Sequence, residues 1–420
     1  MVFKNSLLLL LFVLFFSTGS QAQQESINFT AITTREGLAS NTVNAILKDR
    51  FGFIWFGTED GLDRFDGTGF TVYRNIPNDT TSLQANEILA LHEDAAGNLW
   101  IGTSGGSLSL YNRKKDAFTN FPANGGPGGL ANNVIRDICH DEKGNIWIVH
   151  YTGVNILDPK TGKVSSLNLT KGQTGQAAEI TGTAIFRDSR NTIWIGTTQG
   201  LWQYHPGTRQ TRHFTHDPAN PLSLSGRQVN AITEDKEGTL WIGTNNGLSM
   251  MKAGNLSFVN YRESGGGDRT MKSDDFINDI KVEGNQLWIG TGTGLKVFNK
   301  RIGQQTEYTQ DPRNHFSLSG QSVQCVYIDQ QGIYWLGTFR GGVNKYDKNL
   351  NLFNHIRSNV FDNRGLNVPT VTSFAEGEQG KLFVGTDGGL SVFDRQTNYF
   401  EQVPLSSRRS GAPSHPAILA

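Results

Sequence analysis

The stretch "DKEGTLWIGT" occupies Asp235–Thr244, and close variants stand at Asp141–His150 ("DEKGNIWIVH"), Asp188–Thr197 ("DSRNTIWIGT") and Asp329–Thr338 ("DQQGIYWLGT"). Each places a polar turn before a short apolar run built round an aromatic residue. Counting outward gives Trp55, Trp100, Trp147, Trp194, Trp241, Trp288, Trp335 and then Phe383 in the same context, at intervals of 45, 47, 47, 47, 47, 47 and 48 residues. A period of this length with several strands per unit is the mark of a β-propeller.

Four strands can be drawn in each unit. In the first repeat they are "VNAILKD" (Val43–Asp49), "IWFGT" (Ile54–Thr58), "GLDRFD" (Gly61–Asp66) and "FTVYR" (Phe70–Arg74). Each is short, apolar or alternating, and bounded by Gly, Asp or Asn, as consecutive antiparallel strands require. The fold class expected is therefore all-β, a β-propeller of four-stranded antiparallel blades.

The turn before the aromatic has its own logic. Asp49, Asp94, Asp141, Asp188, Asp235 and Asp329 stand six residues ahead of the tryptophan, and Gly52, Gly97, Gly144, Gly238 and Gly332 three ahead. A carboxylate can bond the N–H groups of the turn it opens, while Gly, or Asn191 in the fourth repeat, accepts a positive φ. The sixth repeat, "KVEGNQLW", is one residue short here. The second strand is apolar almost throughout, as a strand covered on both faces must be. Its aromatic residue is expected to fill the wedge between adjacent sheets, a structural role in preference to a ligand platform. Gly follows two residues after it, except at Val149, and again six residues after it, from Gly61 to Gly389.

"INFTAIT" (Ile27–Thr33) resembles a fourth strand more than a first. A chain that begins with an outer strand can pair it with the last blade and close the ring, removing two open sheet edges. Eight repeat cores are visible, so seven blades close, with the eighth opening a second propeller, or all eight close together; seven is favoured. This divides the chain into a leader (1–22), a propeller (27–356), an eighth repeat (357–405) and a disordered tail (406–420).

Composition narrows the function. Lys plus Arg equals Asp plus Glu at 38 each, so no broad basic field attracts nucleic acid or anionic lipid. The first residues place Lys4 before an apolar run from Leu7 to Phe16 and small residues to Ala22, the pattern of a secretory signal peptide, with an uncleaved anchor as the alternative. The mature part is expected to be exported, periplasmic or secreted, without membrane contact. Cys139 and Cys325 are the only cysteines and are expected to be buried thiols, not a bridge. No clustered His, metal-ligand spacing or nucleophile motif stands out. No cofactor, metal or catalytic residue is therefore assigned.

On a propeller, the turns joining second to third strands share one face with the loops between blades. Residues that vary at those turns are free of the structural rule. They nominate Glu59, Asp60, His150, Tyr151, Gln199, Asn245, Asn246, Phe339 and Arg340 as ligand contacts. Aromatic, amide and charged groups of this kind suit a sugar ring and its hydroxyls. The interblade loops "NIPNDTTSLQAN", "HDPANPLSLSG" and "TQDPRNHFSLSG" are further candidates.

The succession of Ser-Leu, a strand, D-x-x-G, "WIGT" and "GGL", seen in Ser223–Met250 and Ser317–Asp347, closely resembles the two-component regulator propeller repeat, over roughly residues 27–405. The resemblance implies the periplasmic sensor region of a bacterial hybrid two-component system, commonly tied to polysaccharide use. In such proteins paired propellers precede a β-sandwich, a membrane helix and a histidine kinase. Those later parts are not found in this sequence, so the expectation is a ligand-sensing region without its kinase, not itself an enzyme. The other readings are a protein-interaction platform, docking a second propeller or a second copy, and a secreted propeller hydrolase or lyase.

Overall fold

The computed structural model describes residues 27–124, 128–169, 180–261, 276–352, 365–366, 368–395, 397 and 399–403. The expected leader and tail lie outside these residues. The described part falls into two units divided between Tyr346 and Asp347.

In the first unit, six sheets of four antiparallel strands follow each other in chain order. The seventh takes three strands (Val323–Ile328, Ile333–Thr338, Val343–Asp347) from the end and one, Thr30–Ile32, from the beginning. Ala31 lies opposite Asn344 and Ile32 opposite Val343. The first strand of every blade touches the first strand of the next, and Val323–Ile328 touches Val43–Lys48. Seven first strands thus surround an axis, and seven blades close the ring, as the sequence pattern favoured.

The seams hold the core. Trp55 packs with Leu83, Ile88 and Leu99 of the next blade, Trp241 with Ile277, Leu287 and Phe298, and Trp335 with Val43, Ile54 and Phe56 across the closure. All seven repeat tryptophans are at most 3% exposed. A β-bulge after the first residue of each first strand re-aims the following side chain. Asn44, Asn230 and Asn278 use that position to donate to the carbonyls of Ile88 (3.0 Å), Ile277 (3.0 Å) and Val323 (2.8 Å) in the next blade.

The glycine two residues after the tryptophan is a packing device. A Cβ on Gly57 would meet Ile88 Cγ2 at 2.7 Å, and one on Gly102 would meet Ile135 Cγ2 at 2.7 Å. Where Val149 breaks the pattern, the facing β-branched residue has become Gly182, whose own Cβ would strike Val149 Cγ1. Large and small have exchanged sides of one seam.

Two details differ from the expected register. The second-to-third turns of the second and seventh blades are one residue longer. Their closing bonds run from Thr103 to Ser107 and from Thr338 to Gly342, against a spacing of three elsewhere. Ser107 (φ 71°) and Gly342 (φ 79°) therefore hold the positive-φ place assigned to Gly106 and Gly341. Those two glycines instead lie against the backbones of Gln84–Ala85 and Ser319–Gly320, where a Cβ would come within 2.6 and 2.5 Å.

The second unit carries the eighth sheet, Val371–Glu376, Lys381–Thr386, Gly389–Asp394 and Tyr399–Val403. Leu366, Val384, Phe393 and Phe400 are its core, and Phe383 is half-buried.

Candidate functional site

The D-x-x-G turn does more than the sequence suggests. In the first blade Asp49 Oδ1 accepts the N–H groups of Phe51 and Phe53 at 3.0 Å each, while Oδ2 accepts Trp55 Nε1 at 2.8 Å. The same indole bond recurs from Trp100, Trp147, Trp194 and Trp241 to Asp94, Asp141, Asp188 and Asp235 at 2.9–3.0 Å. In the short sixth repeat Glu283, one methylene longer, takes Trp288 Nε1 at 3.2 Å and Tyr334 Oη at 2.6 Å. A six-residue spacing of Asp to Trp was the signal for this bond in five blades; in the seventh, at the same spacing, Asp329 Oδ2 accepts Lys48 Nζ at 3.1 Å instead, and no partner of the Trp335 indole N–H is seen among the described residues. These turns fix one face of the ring, so the second-to-third turns and the interblade loops emerge on the other.

On that loop face, a threonine at the end of every second strand but the third blade's shapes the turn. Thr58, Thr197, Thr244 and Thr291 are fully buried, and their Oγ1 atoms donate to the carbonyls of Gly61, Gly200, Gly247 and Gly294 at 2.8–3.0 Å. The interblade loops are held as firmly. Ser223 Oγ accepts Asp217 N–H at 3.0 Å and donates to Asp217 O at 2.9 Å, and Ser317 does the same with Asp311. Leu38, Leu83, Leu130, Leu224 and Leu318 plug the blades below. Asn155 and Asn344 anchor these loops by accepting the N–H groups of Ala131 and Ser319. Asp63 takes this place in the first blade, accepting Ala39 N–H at 3.0 Å, and burial pushes its carboxyl up to about 7.

The nine nominated residues separate into two groups. Asn245 and Asn246 bond to the preceding interblade loop: Asn245 Oδ1 accepts Gln228 N–H at 3.0 Å, and Asn246 Nδ2 donates to Ser225 O at 3.1 Å. Gln199 Oε1 accepts Arg227 Nε at 2.8 Å. Asp60 pairs with Arg74 at 3.2 Å and accepts from Asn86 at 3.1 Å. His150 is 2% exposed and replaces the turn threonine: its Nδ1 accepts Thr152 N–H at 3.2 Å, and burial holds the imidazole down at about 4. Glu59, Tyr151, Phe339 and Arg340 are exposed. Arg340, at φ 61°, lays its guanidinium over the Phe339 ring, 4.8 Å from its centroid. That pair sits in one of the two lengthened turns.

The sequence reading missed Arg136. It stands at the bulge position where other blades clamp their neighbours, and it is exposed at the loop-face end of its strand. Tyr151 is tied to the same strand entry by its N–H to Val134 O at 3.3 Å. The bulge, which only pairing across the sheet reveals, was the signal.

Ring, seams and repeated turns define a seven-bladed β-propeller, and five segments of it, residues 37–60, 82–105, 129–152, 223–246 and 317–340, match the family described as two component regulator propeller. Each matched segment runs from the plugging leucine loop to the second-to-third turn. A solved extracellular domain assigned to a hybrid two component system of B. thetaiotaomicron is 26% identical over 90% of this chain and 49% of its own, with a TM-score of 0.73. A second, assigned to a one component system of the same organism, shares the fold at 21% identity and a TM-score of 0.63, over 93% of this chain and 48% of its own. A histidine kinase of Formosa agariphila is 41% identical over 69 residues, 16% of this chain and 5% of the kinase. The chain thus spans about half the length of the solved domains it matches. Among the described residues no helix is long and apolar enough to cross a membrane.

Proposed function

We propose that this chain is the ligand-sensing propeller region of a two-component signalling receptor, exported to the periplasm, and that its ligand is an oligosaccharide met on the loop face. The observation that carries this reading is the likeness to an extracellular two-component domain over nine-tenths of the chain. The exposed groups Tyr151, Phe339, Arg340 and Arg136 support the ligand class, because rings and guanidinium forks suit sugar faces and hydroxyls. The buried Thr338 and His150 shape the turns that carry Phe339, Arg340 and Tyr151, a rigid support that lowers the ordering cost of binding. In the longer receptor the sheet of residues 371–403 would open a second propeller.

Titration calorimetry of the protein with a panel of neutral and acidic oligosaccharides tests this. Saturable binding without turnover is expected, weakened at least about tenfold in Tyr151→Ala/Arg340→Ala. Binding that the double variant leaves unchanged would place the ligand elsewhere, and product release would favour a lyase or hydrolase.

A further inference from the structure

The turn aspartates differ in what completes their buried Oδ2. In the second and third blades the turn's own Asn98 and Asn145 donate to it at 2.9 Å. In the first and fifth, Arg113 (2.7 Å) and Lys300 (2.9 Å) cross the seam from the next blade. In the seventh, Lys48 does so at 3.1 Å. The fourth blade has neither device: Thr192 stands where Asn98 and Asn145 stand, and Ala253 holds the register position of Arg113 and Lys300.

The carboxylate of Asp188 is nevertheless served. Arg190 and Thr192 N–H groups reach Oδ1 at 3.0 and 2.7 Å, and the Trp194 indole reaches Oδ2 at 2.9 Å. The Arg190 guanidinium stands 3.7 Å away, beyond hydrogen-bond length, and half-exposed. It is ion-paired with Asp188 but makes no side-chain hydrogen bond among the described residues. Beside it opens a groove of about 380 Å³ in the seam between the fourth and fifth blades. Arg212, exposed, lines it with Gln203, Gln210 and Asn255, and Phe214, Met251 and Leu256 form an apolar wall. No side-chain partner of Arg212 is seen among the described residues. The corresponding groove in the next seam, about 410 Å³, holds Lys300 already fixed on Asp235.

We propose that the seam groove between the fourth and fifth blades binds a carboxylated monosaccharide, with Arg190 and Arg212 taking the carboxylate and the apolar wall taking the ring. Two guanidinium forks match a carboxylate, and each such bond is charge-assisted. The amides of Gln203, Gln210 and Asn255 suit hydroxyls, and the volume is at the small end for ligand pockets. A bare inorganic anion would leave the wall and the amides unused. The site lies on the D-x-x-G face, away from the loop face, so it does not depend on the oligosaccharide reading.

The test is NMR titration and calorimetry of the protein with D-galacturonate, D-galactose and acetate. Saturable galacturonate binding is expected, at least about tenfold tighter than either control. Arg190→Ala and Arg212→Ala should each weaken it about tenfold. Ala253→Lys should supply the missing cross-seam cation, raise the melting midpoint and weaken binding, whereas Tyr151→Ala/Arg340→Ala should leave it intact. Galactose binding as tightly as galacturonate would overturn the anionic class. Acetate binding as tightly would overturn the sugar. Absence of saturation to on the order of 10 mM, or binding indifferent to both arginine changes, would overturn the site.

Discussion

The exchange of Val149 and Gly182 across one seam offers a stringent test of how the blades pack. In the other six seams a glycine faces Ile88, Ile135, Val229, Ile277, Val323 or Val43. Val149→Gly alone removes a fully buried side chain, costing about 2–3 kcal/mol of burial and roughly 0.5–1 kcal/mol for glycine in a strand. Gly182→Val alone forces a side chain into Val149 Cγ1, and overpacking of this kind costs about 1–3 kcal/mol. Together they recreate the arrangement of the other seams, so the double variant should lose less than either single change. The coupling in a double-mutant cycle should be about 2 kcal/mol or more in favour of the pair. Urea denaturation followed by tryptophan fluorescence measures all four proteins. Additive losses would mean that the seam does not transmit side-chain volume and that the reasoning about Gly57, Gly102 and their equivalents is wrong.

Two further outcomes are expected. Glu283→Asp shortens the one acceptor that reaches both Trp288 and Tyr334 and should destabilise by about 2–4 kcal/mol; an unchanged urea midpoint would show that those bonds are replaceable by water. The buried His150 accepts Thr152 N–H only while neutral. Its folded value of about 4 lies below the ordinary 6.5, so its contribution is complete above pH 6.5 and is lost as pH falls towards 4. Between pH 8 and pH 5 this amounts to about 2 kcal/mol. Restoring the repeat's threonine, His150→Thr, should reduce the protein's acid loss over that range by this amount. The raised carboxyl of Asp63 acts in the opposite direction, but in both proteins alike. Parallel pH–stability curves would refute the role given to His150.

Much of the fold was legible because its stabilising contacts repeat. A 47-residue period, a carboxylate six residues before an indole, and glycines at fixed offsets are local demands that one strand pair imposes in most of the blades. They gave the four-stranded blade, the turn and the buried aromatic without reference to any neighbour. The strand at Thr30–Ile32 was foreseeable for the same reason, since a fourth strand without its own blade needs a partner edge.

The candidate site was legible only in part. Variable turns nominated Tyr151, Phe339 and Arg340, which are exposed, and by the same criterion Asn245, Asn246 and Gln199, each of which makes a hydrogen bond to the interblade loop between the fourth and fifth blades. Sequence variation cannot tell a side chain released to solvent from one that has found a different internal partner, because both escape the repeat rule.

The sequence alone therefore determined what each blade is: its strands, its turn chemistry and the wedge residue, all set by interactions within a few tens of residues. Tertiary structure decided what lies between blades. It chose closure at seven, the bulge that turns Arg136 outward, the exchange of Val149 with Gly182, and the seam where Ala253 supplies no cation and Asp188 has only the long ion pair with Arg190. Such features depend on which side chain from one unit meets which from the next, and that geometry exists only once the ring is closed.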